Sequence, residues 1–210
     1  MSTCLVTGFE PFLGLEINPT EMVCKEIDGI YVGDMYVHTK VLPVDFQKGP
    51  EALLEAVDEL QPDVILALGL AAGRTAITPE RIAINVCDGE PDNEGVIKRD
   101  DPIVLGGPAA YFSTLPNRAF VEALHAKSYP ANISNTAGTY LCNAVMYTAL
   151  HEANRKARPV QAGFVHIPAS HELVIQSGKK MSSWSQQDLT AAVRCLLEVI
   201  GEEHQSDKLS

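Results

Sequence analysis

A chain of 210 residues, 46% of them apolar and 20% charged, is long enough for one sizeable domain with a continuous core and too apolar to be largely disordered. Its formal charge of −11, with no short window of clustered Lys and Arg, excludes a general nucleic-acid surface, which needs cations to neutralise phosphates. No apolar run approaches the roughly 20 residues that span a bilayer, and no basic segment leads into a short apolar core with a cleavage site, so the expectation is a cytoplasmic protein without a membrane partner. The 5 cysteines are odd in number, widely spaced and free of any Cys-x-x-Cys pair, which suggests free thiols rather than a disulfide framework or a zinc site. Neither a metal nor a cofactor is expected.

In chain order, Thr3 to Phe9 is a continuous apolar stretch stopped by Gly8, as expected of a strand buried on both faces of a mostly parallel sheet. Asn18-Pro19 predicts a helix start, Asn as N-cap and Pro in the first helical position, leading to Ile27. A strand from Met35 to Val44 and a helix carrying Leu53, Leu54, Val57 and Leu60 follow, the helix ending at Pro62. Asp63 to Gly69 reads as the central strand. Residues 76–86 suit an extended segment at the carboxyl edge of the sheet, where α/β proteins build their sites. Residues 88–108, rich in Asp, Glu, Gly and Pro, read as a long excursion and a candidate flap. Two further units follow: helix 117–127, strand 130–136, helix 139–156 and strand 160–167. An amphipathic helix runs from about Ser185 to Glu203. Alternating strands and helices predict an α/β fold, a single domain over residues 1–210 built as an α/β/α layered sandwich with a mostly parallel, mixed central sheet.

Cys142 stands where an Ala-Gly turn passes into a helical pattern. A thiol in the first turn of a helix faces unpaired N–H groups and the positive end of the macrodipole, both of which favour thiolate. The competing reading is a buried structural cysteine. A thiolate nucleophile needs a base, and His166, in the apolar run Phe164 to Pro168, is the histidine placed at a predicted strand end; a satisfied core histidine is the alternative. The other five histidines read as solvated. A carboxylate that accepts the ring N–H would orient the imidazole and stabilise its cation. Glu80 interrupts an extended apolar run just beyond the central strand. Pairing with Arg81 is the rival role, although neighbours on a strand point to opposite faces and a different partner is expected.

Four blocks then make the chain recognisable: Thr7 to Gly14 followed by Asn18-Pro19, Gly69 to Arg74 leading to Glu80 through Asn85, Ser134 to Asn143, and Phe164 to Pro168. In this order, over the length of the chain, they resemble the pyroglutamyl peptidase I family (pyrrolidone carboxyl peptidases), cysteine peptidases that remove an N-terminal pyroglutamyl residue from peptides. The resemblance implies a Cys142 nucleophile, a His166 base and a Glu80 partner, with no metal. It implies that backbone N–H groups from Tyr140 through Leu141 to Cys142 supply part of an oxyanion hole. It also implies a mainly apolar pocket in which Phe9 and Phe12 sandwich the ring and Asn18 hydrogen-bonds the lactam. Family members are commonly homo-oligomers, tetramers or dimers, and the apolar face of the last helix suits either the core or a subunit contact.

There are departures. The segment Val86 to Asn93 lacks an Arg and a bulky apolar residue that many relatives carry before Pro-Asp-Asn, and Leu70 stands where some relatives have a polar residue. Leu70 is therefore left outside the site. Two rival functions stay open: another small-amide cysteine hydrolase on the same scaffold, and a catalytically dead protein that binds pyroglutamyl peptides.

Overall fold

The computed structural model of the chain describes residues 2–209, with side chains as far as His204. In chain order the elements are β1 (Ser2–Phe9), α1 (Pro19–Ile27), β2 (Tyr31–Val32), β3 (Met35–Leu42), α2 (Lys48–Leu60), β4 (Val64–Leu70), β5 (Thr78–Pro79), β6 (Ile82–Ile84), β7 (Ala110–Phe112), α3 (Asn117–Ala126), α4 (Leu141–Arg155), β8 (Gln161–Ile167), β9 (Ala169–Ser170), α5 (His171–Ser177), β10 (Ser183–Trp184) and α6 (Gln186–Leu209).

Six strands form the central sheet in the order β2-β3-β1-β4-β8-β5. The inner strands β3, β1, β4 and β8 run parallel, while β2 and β5 close the two edges antiparallel. Side chains of a strand alternate between faces, and here both faces are apolar. Cys4, Val6, Leu66 and Val165 pack toward α1, α3 and α6, and Leu5, Ile65, Ala67 and Phe164 pack toward α2 and α4. That double burial explains why β1, β4 and β8 read as unbroken apolar runs. The result is the expected three-layered α/β/α arrangement.

Local signals explain several boundaries. Asn18 caps α1 by accepting from Thr20 N, with Pro19 in the first turn. A methyl group on Gly8 would lie 2.7 Å from the Thr20 carbonyl oxygen, so only glycine lets α1 lie this close against β1. The α2 helix ends in a left-handed Gln61. Leu189, Val193, Leu196, Leu197 and Ile200 of α6 are fully buried in this chain's own core, which decides the open question of that helix's apolar face.

The structure departs from expectation in four places. Residues 130–136 form no strand. They run beside the 77–81 segment, where Ile77 N donates to Pro130 O, Asn132 N to Ile77 O, Ser134 N to Pro79 O and Arg81 N to Ser134 O. The bond missing from this parallel pattern is the one Pro79 has no N–H to make, and two isolated bridges remain. Residues 88–108 are tied down rather than free to flap: Asp92 accepts from the backbone of Phe46, Glu94 and Val96, and Asn93 N donates to Val44 O. The 76–86 segment divides, β5 joining the main sheet and β6 pairing with β7 in a separate two-stranded sheet. Finally, His125 and His151 are not simply solvated, since His125 Nε2 contacts Ala131 O and His151 Nδ1 contacts the Tyr111 hydroxyl. Among the described residues, no helix is long and apolar enough to cross a membrane.

Candidate active site

The site forms where β1, β4 and β8 end, beneath the N-terminus of α4. His166 and Gly69 are directly paired in the β4–β8 register. On its other side β8 is paired by β5, with Thr78 opposite His166, and Glu80 N donates to Phe164 O at 2.8 Å. This edge pairing carries the Glu80 carboxylate beside the imidazole, although the two residues are 86 positions apart. His166 Nδ1 meets Glu80 Oε1 at 2.7 Å. Arg74 Nη1 donates to the same oxygen at 2.7 Å. Glu80 is fully buried, and its Oε2 has no hydrogen-bond partner.

These contacts set the charges. Burial works against ionisation of Glu80, but the bond and charge of His166, followed by Ser134 and Arg74, outweigh it and hold the carboxyl below its ordinary range. Burial likewise disfavours the imidazolium, yet the charge of the Cys142 sulfur, its hydrogen bond to the ring and the Glu80 carboxylate raise His166 from 6.5 to about 9. With Nδ1 turned to Glu80, the ring's Nε2 is left for the sulfur.

Of the five free cysteines, Cys142 alone is not buried. Burial pushes the Cys4 and Cys24 thiols up to about 12, so those sulfurs stay protonated and inert. Cys142 is the second residue of α4, after a left-handed Gly138 with φ of 78°. Ala144 N makes the first backbone bond of that helix, to Tyr140 O, and Tyr140 supplies no side-chain cap. The N–H groups at Leu141, Cys142 and Asn143 therefore precede the helical ladder, beside the sulfur, where negative charge is favoured. Asn143 anchors this end. Its amide exchanges bonds with Ile84 and donates to Val86 O. Gly69 leaves room for the sulfur, since a methyl group there would lie 3.0 Å from Cys142 Sγ and 2.6 Å from Phe164 Cζ.

The sulfur opens into a pocket lined by Phe9, Phe12, Asn18, Val44, Leu70, Tyr140, Leu141 and Cys142. The lining is almost wholly apolar, with Asn18 supplying its amide. Asn18 Oδ1 is committed to Thr20 N and the Thr20 hydroxyl, and Nδ2 donates to Glu10 O. One N–H of that amide is left for a ligand. The Tyr140 hydroxyl donates to Pro91 O, and its ring stands edge-on to Phe46, so the 88–97 segment braces the pocket wall.

The family model described as pyroglutamyl peptidase matches residues 2–203 of the chain. The chain belongs to the pyroglutamyl peptidase family. It is 48% identical to the pyrrolidone-carboxylate peptidase of Pyrococcus furiosus over 203 residues, covering 95% of this chain and 98% of the relative. It is 48% identical to that of Halalkalibacterium halodurans over 195 residues, covering 92% and 96%, and 42% identical to a Yersinia pestis protein of the same name, covering 97% and 95%. Crystal structures of the pyrrolidone carboxyl peptidase of P. furiosus and its cysteine-free mutant superpose with a TM-score of 0.93 at 47% identity, covering 96% of this chain and 99% of theirs.

On this peptidase scaffold Glu80 is hydrogen-bonded to His166, the Cys142 sulfur acts on the same imidazole, and Phe9, Phe12, Asn18, Tyr140 and Leu141 line one cavity with the sulfur. Leu70, left out on sequence grounds, belongs to that lining because it ends β4 at the pocket. Val44 and Asn143 were not singled out either, and neither carries a local signal. Arg74 is the main omission: the expected partner of Glu80 other than Arg81 is this residue, six positions earlier, across a turn that hydropathy does not mark. Among the described residues, no group of three or more His, Cys, Asp or Glu is placed to hold a metal ion.

Proposed function

We propose that this chain is a cysteine peptidase that hydrolyses the amide bond after an N-terminal pyroglutamyl residue, with Cys142 as nucleophile, His166 as acid and base, and Glu80 as the carboxylate that orients His166. The observation that carries this reading is the Glu80–His166 hydrogen bond, with the Cys142 sulfur acting on the same imidazole from beside Gly69, at a helix entrance that opens into an apolar pocket. That pocket suits a small uncharged lactam, with Phe9 and Phe12 as its faces and the free Asn18 N–H as a donor to the ring carbonyl.

The Cys142 sulfur forms a bond to the scissile carbonyl carbon, and the carbonyl π electrons move to oxygen. That oxygen takes its hydrogen bonds from N–H groups at the start of α4, each worth about 3 kcal/mol in comparable sites. When the carbonyl re-forms, the C–N bond breaks, and His166 gives its proton to the departing amine. His166 then takes a proton from water as its oxygen attacks the thioester, and the C–S bond breaks to release pyroglutamate and the free thiol. Glu80 holds the ring and its positive charge throughout.

Release of a chromophore from a pyroglutamyl amide tests the proposal, with the corresponding unblocked aminoacyl amide beside it. Turnover of the first alone, abolished by iodoacetamide and in Cys142→Ala, is expected. Wild-type turnover in Cys142→Ala refutes the nucleophile, and equal turnover of both amides favours a broader amidase.

Two further readings belong to the proposal. Five free thiols fit a reducing, cytosolic compartment. Association into a homotetramer or homodimer is supported by Leu105 and Phe112, large apolar side chains 91% and 67% exposed on the same stretch of chain. Sedimentation of Leu105→Asp as a smaller species than wild type is the expected result.

A further inference from the structure

We propose that Arg74 is a positioning residue of the catalytic relay, its guanidinium fixing the Glu80 carboxylate in the orientation and charge state in which it serves His166. This rests on the triad reading above. The turn that presents Arg74 is held from several sides. Ala71 N donates to Ile167 O, Arg74 N to Ala71 O, and Ser182 Oγ donates to the Arg74 carbonyl. Gly73, with φ of 93°, gives the turn its left-handed step. From it the guanidinium reaches inward, and Nη1 is shared between the Thr78 hydroxyl and Glu80 Oε1 while Nη2 points to Thr136 O.

Two features separate this contact from an ordinary surface ion pair. Glu80 is fully buried while the Arg74 side chain is 32% exposed, so the guanidinium joins a buried carboxylate to solvent. Further, both hydrogen bonds to the carboxylate fall on one oxygen, and Oε2 has none. Without Arg74, one bond to His166 would hold a carboxylate otherwise free to turn toward the Ser134 hydroxyl, which now donates to Thr136 O. Removing one partner of a buried pair leaves a costly uncompensated charge.

The charges also fall in sequence. The groups that act on Glu80 are His166 from β8, the Ser134 hydroxyl, and Arg74 from the turn after β4; those that act on His166 are Glu80 and Cys142 from α4. Imidazolium and guanidinium face the one Glu80 carboxylate, and loss of the guanidinium removes one of these two positive charges. The Glu80 carboxyl then protonates more readily and the imidazolium holds its proton more tightly, so the alkaline limb of the pH profile moves to higher pH. Arg74 does not line the substrate pocket, so its loss acts on kcat rather than KM.

The test is the pH dependence of kcat/KM and of iodoacetamide alkylation of Cys142 in wild type, Arg74→Gln and Arg74→Lys. For Arg74→Gln we expect kcat at neutral pH to fall about tenfold or more, KM to stay within about twofold, and the alkaline limb to rise by about one pH unit. Arg74→Lys keeps the charge and should leave the alkaline limb in place, with kcat between the other two. An alkaline limb unmoved in Arg74→Gln, or a loss equal at every pH, would reduce Arg74 to a structural tie and overturn the proposal while leaving the triad intact. Should Arg74→Gln not fold, a displaced alkaline limb in Arg74→Lys overturns it. Retained activity in Cys142→Ala would instead count against the triad itself.

Discussion

Glu80→Gln removes a charge and keeps the volume, and its effect can be worked from the contacts. The surroundings of His166 raise the imidazole from 6.5 to about 9 despite full burial. At 1.36 kcal/mol per unit this is a preference for the imidazolium of about 3 kcal/mol, supplied jointly by the sulfur and the carboxylate. With Gln at position 80, His166 Nδ1 faces a neutral amide, and the amide can present its NH2 group, which favours the tautomer that cannot take the thiol proton through Nε2. Loss of orientation and of charge together should lower kcat/KM for a pyroglutamyl amide about a thousandfold to ten-thousandfold. The alkaline limb should move down by about one unit or more. Rates of p-nitroanilide release between pH 5 and 10 measure both, with alkylation of Cys142 over the same range as a check on the thiolate. Activity within about tenfold of wild type, with an unmoved alkaline limb, would refute the view that the carboxylate governs the imidazole.

Three other outcomes follow from the same contacts. Gly69→Ala places a methyl group against Phe164 and the Cys142 sulfur; thermal unfolding should show a loss of about 1–3 kcal/mol, with kcat down more than about tenfold. Asn18→Ala removes the cap of α1 and the uncommitted side-chain donor of the pocket, so denaturant unfolding should show a loss of about 1 kcal/mol and KM should rise. Because the folded His166 keeps its proton up to about 9 while an unfolded one releases it near 6.5, its contribution to stability is complete below the lower value and disappears as pH rises through the higher. Melting temperatures across that window should fall more steeply in wild type than in Cys142→Ala, which lacks the sulfur's charge; identical slopes would contradict the coupling.

The parts of the fold legible in the sequence were those governed by local rules. Asn18-Pro19 announces a helix start because a side-chain acceptor and a missing N–H both suit a first turn. The runs in β1, β4 and β8 announce doubly buried strands because both of their faces meet helices. Cys142 was legible as a helix-entry thiol after Gly138 for the same local reason. The failure at 130–136 has a cause outside that segment: its neighbour offers Pro79 where a donor was needed, and no pattern within 130–136 records that. The 88–108 segment looked free because its composition is that of a loop, while its order comes from the Asp92 side chain bonding to Phe46 far back in the chain. Leu70 was judged against the chemistry of relatives, and its place on the pocket wall depends only on where β4 stops.

By itself the chain determined which chemical groups stand at the ends of which elements: a thiol opening a helix, an imidazole closing a strand, a carboxylate in an extended edge segment. Periodicity and capping act over one or two turns, so they encode such placements and nothing longer. Whether those groups touch was decided by the strand order β4-β8-β5 and by a register that sets His166 between Gly69 and Thr78. A single step of slip would turn the imidazole to the opposite face of the sheet, away from both Cys142 and Glu80.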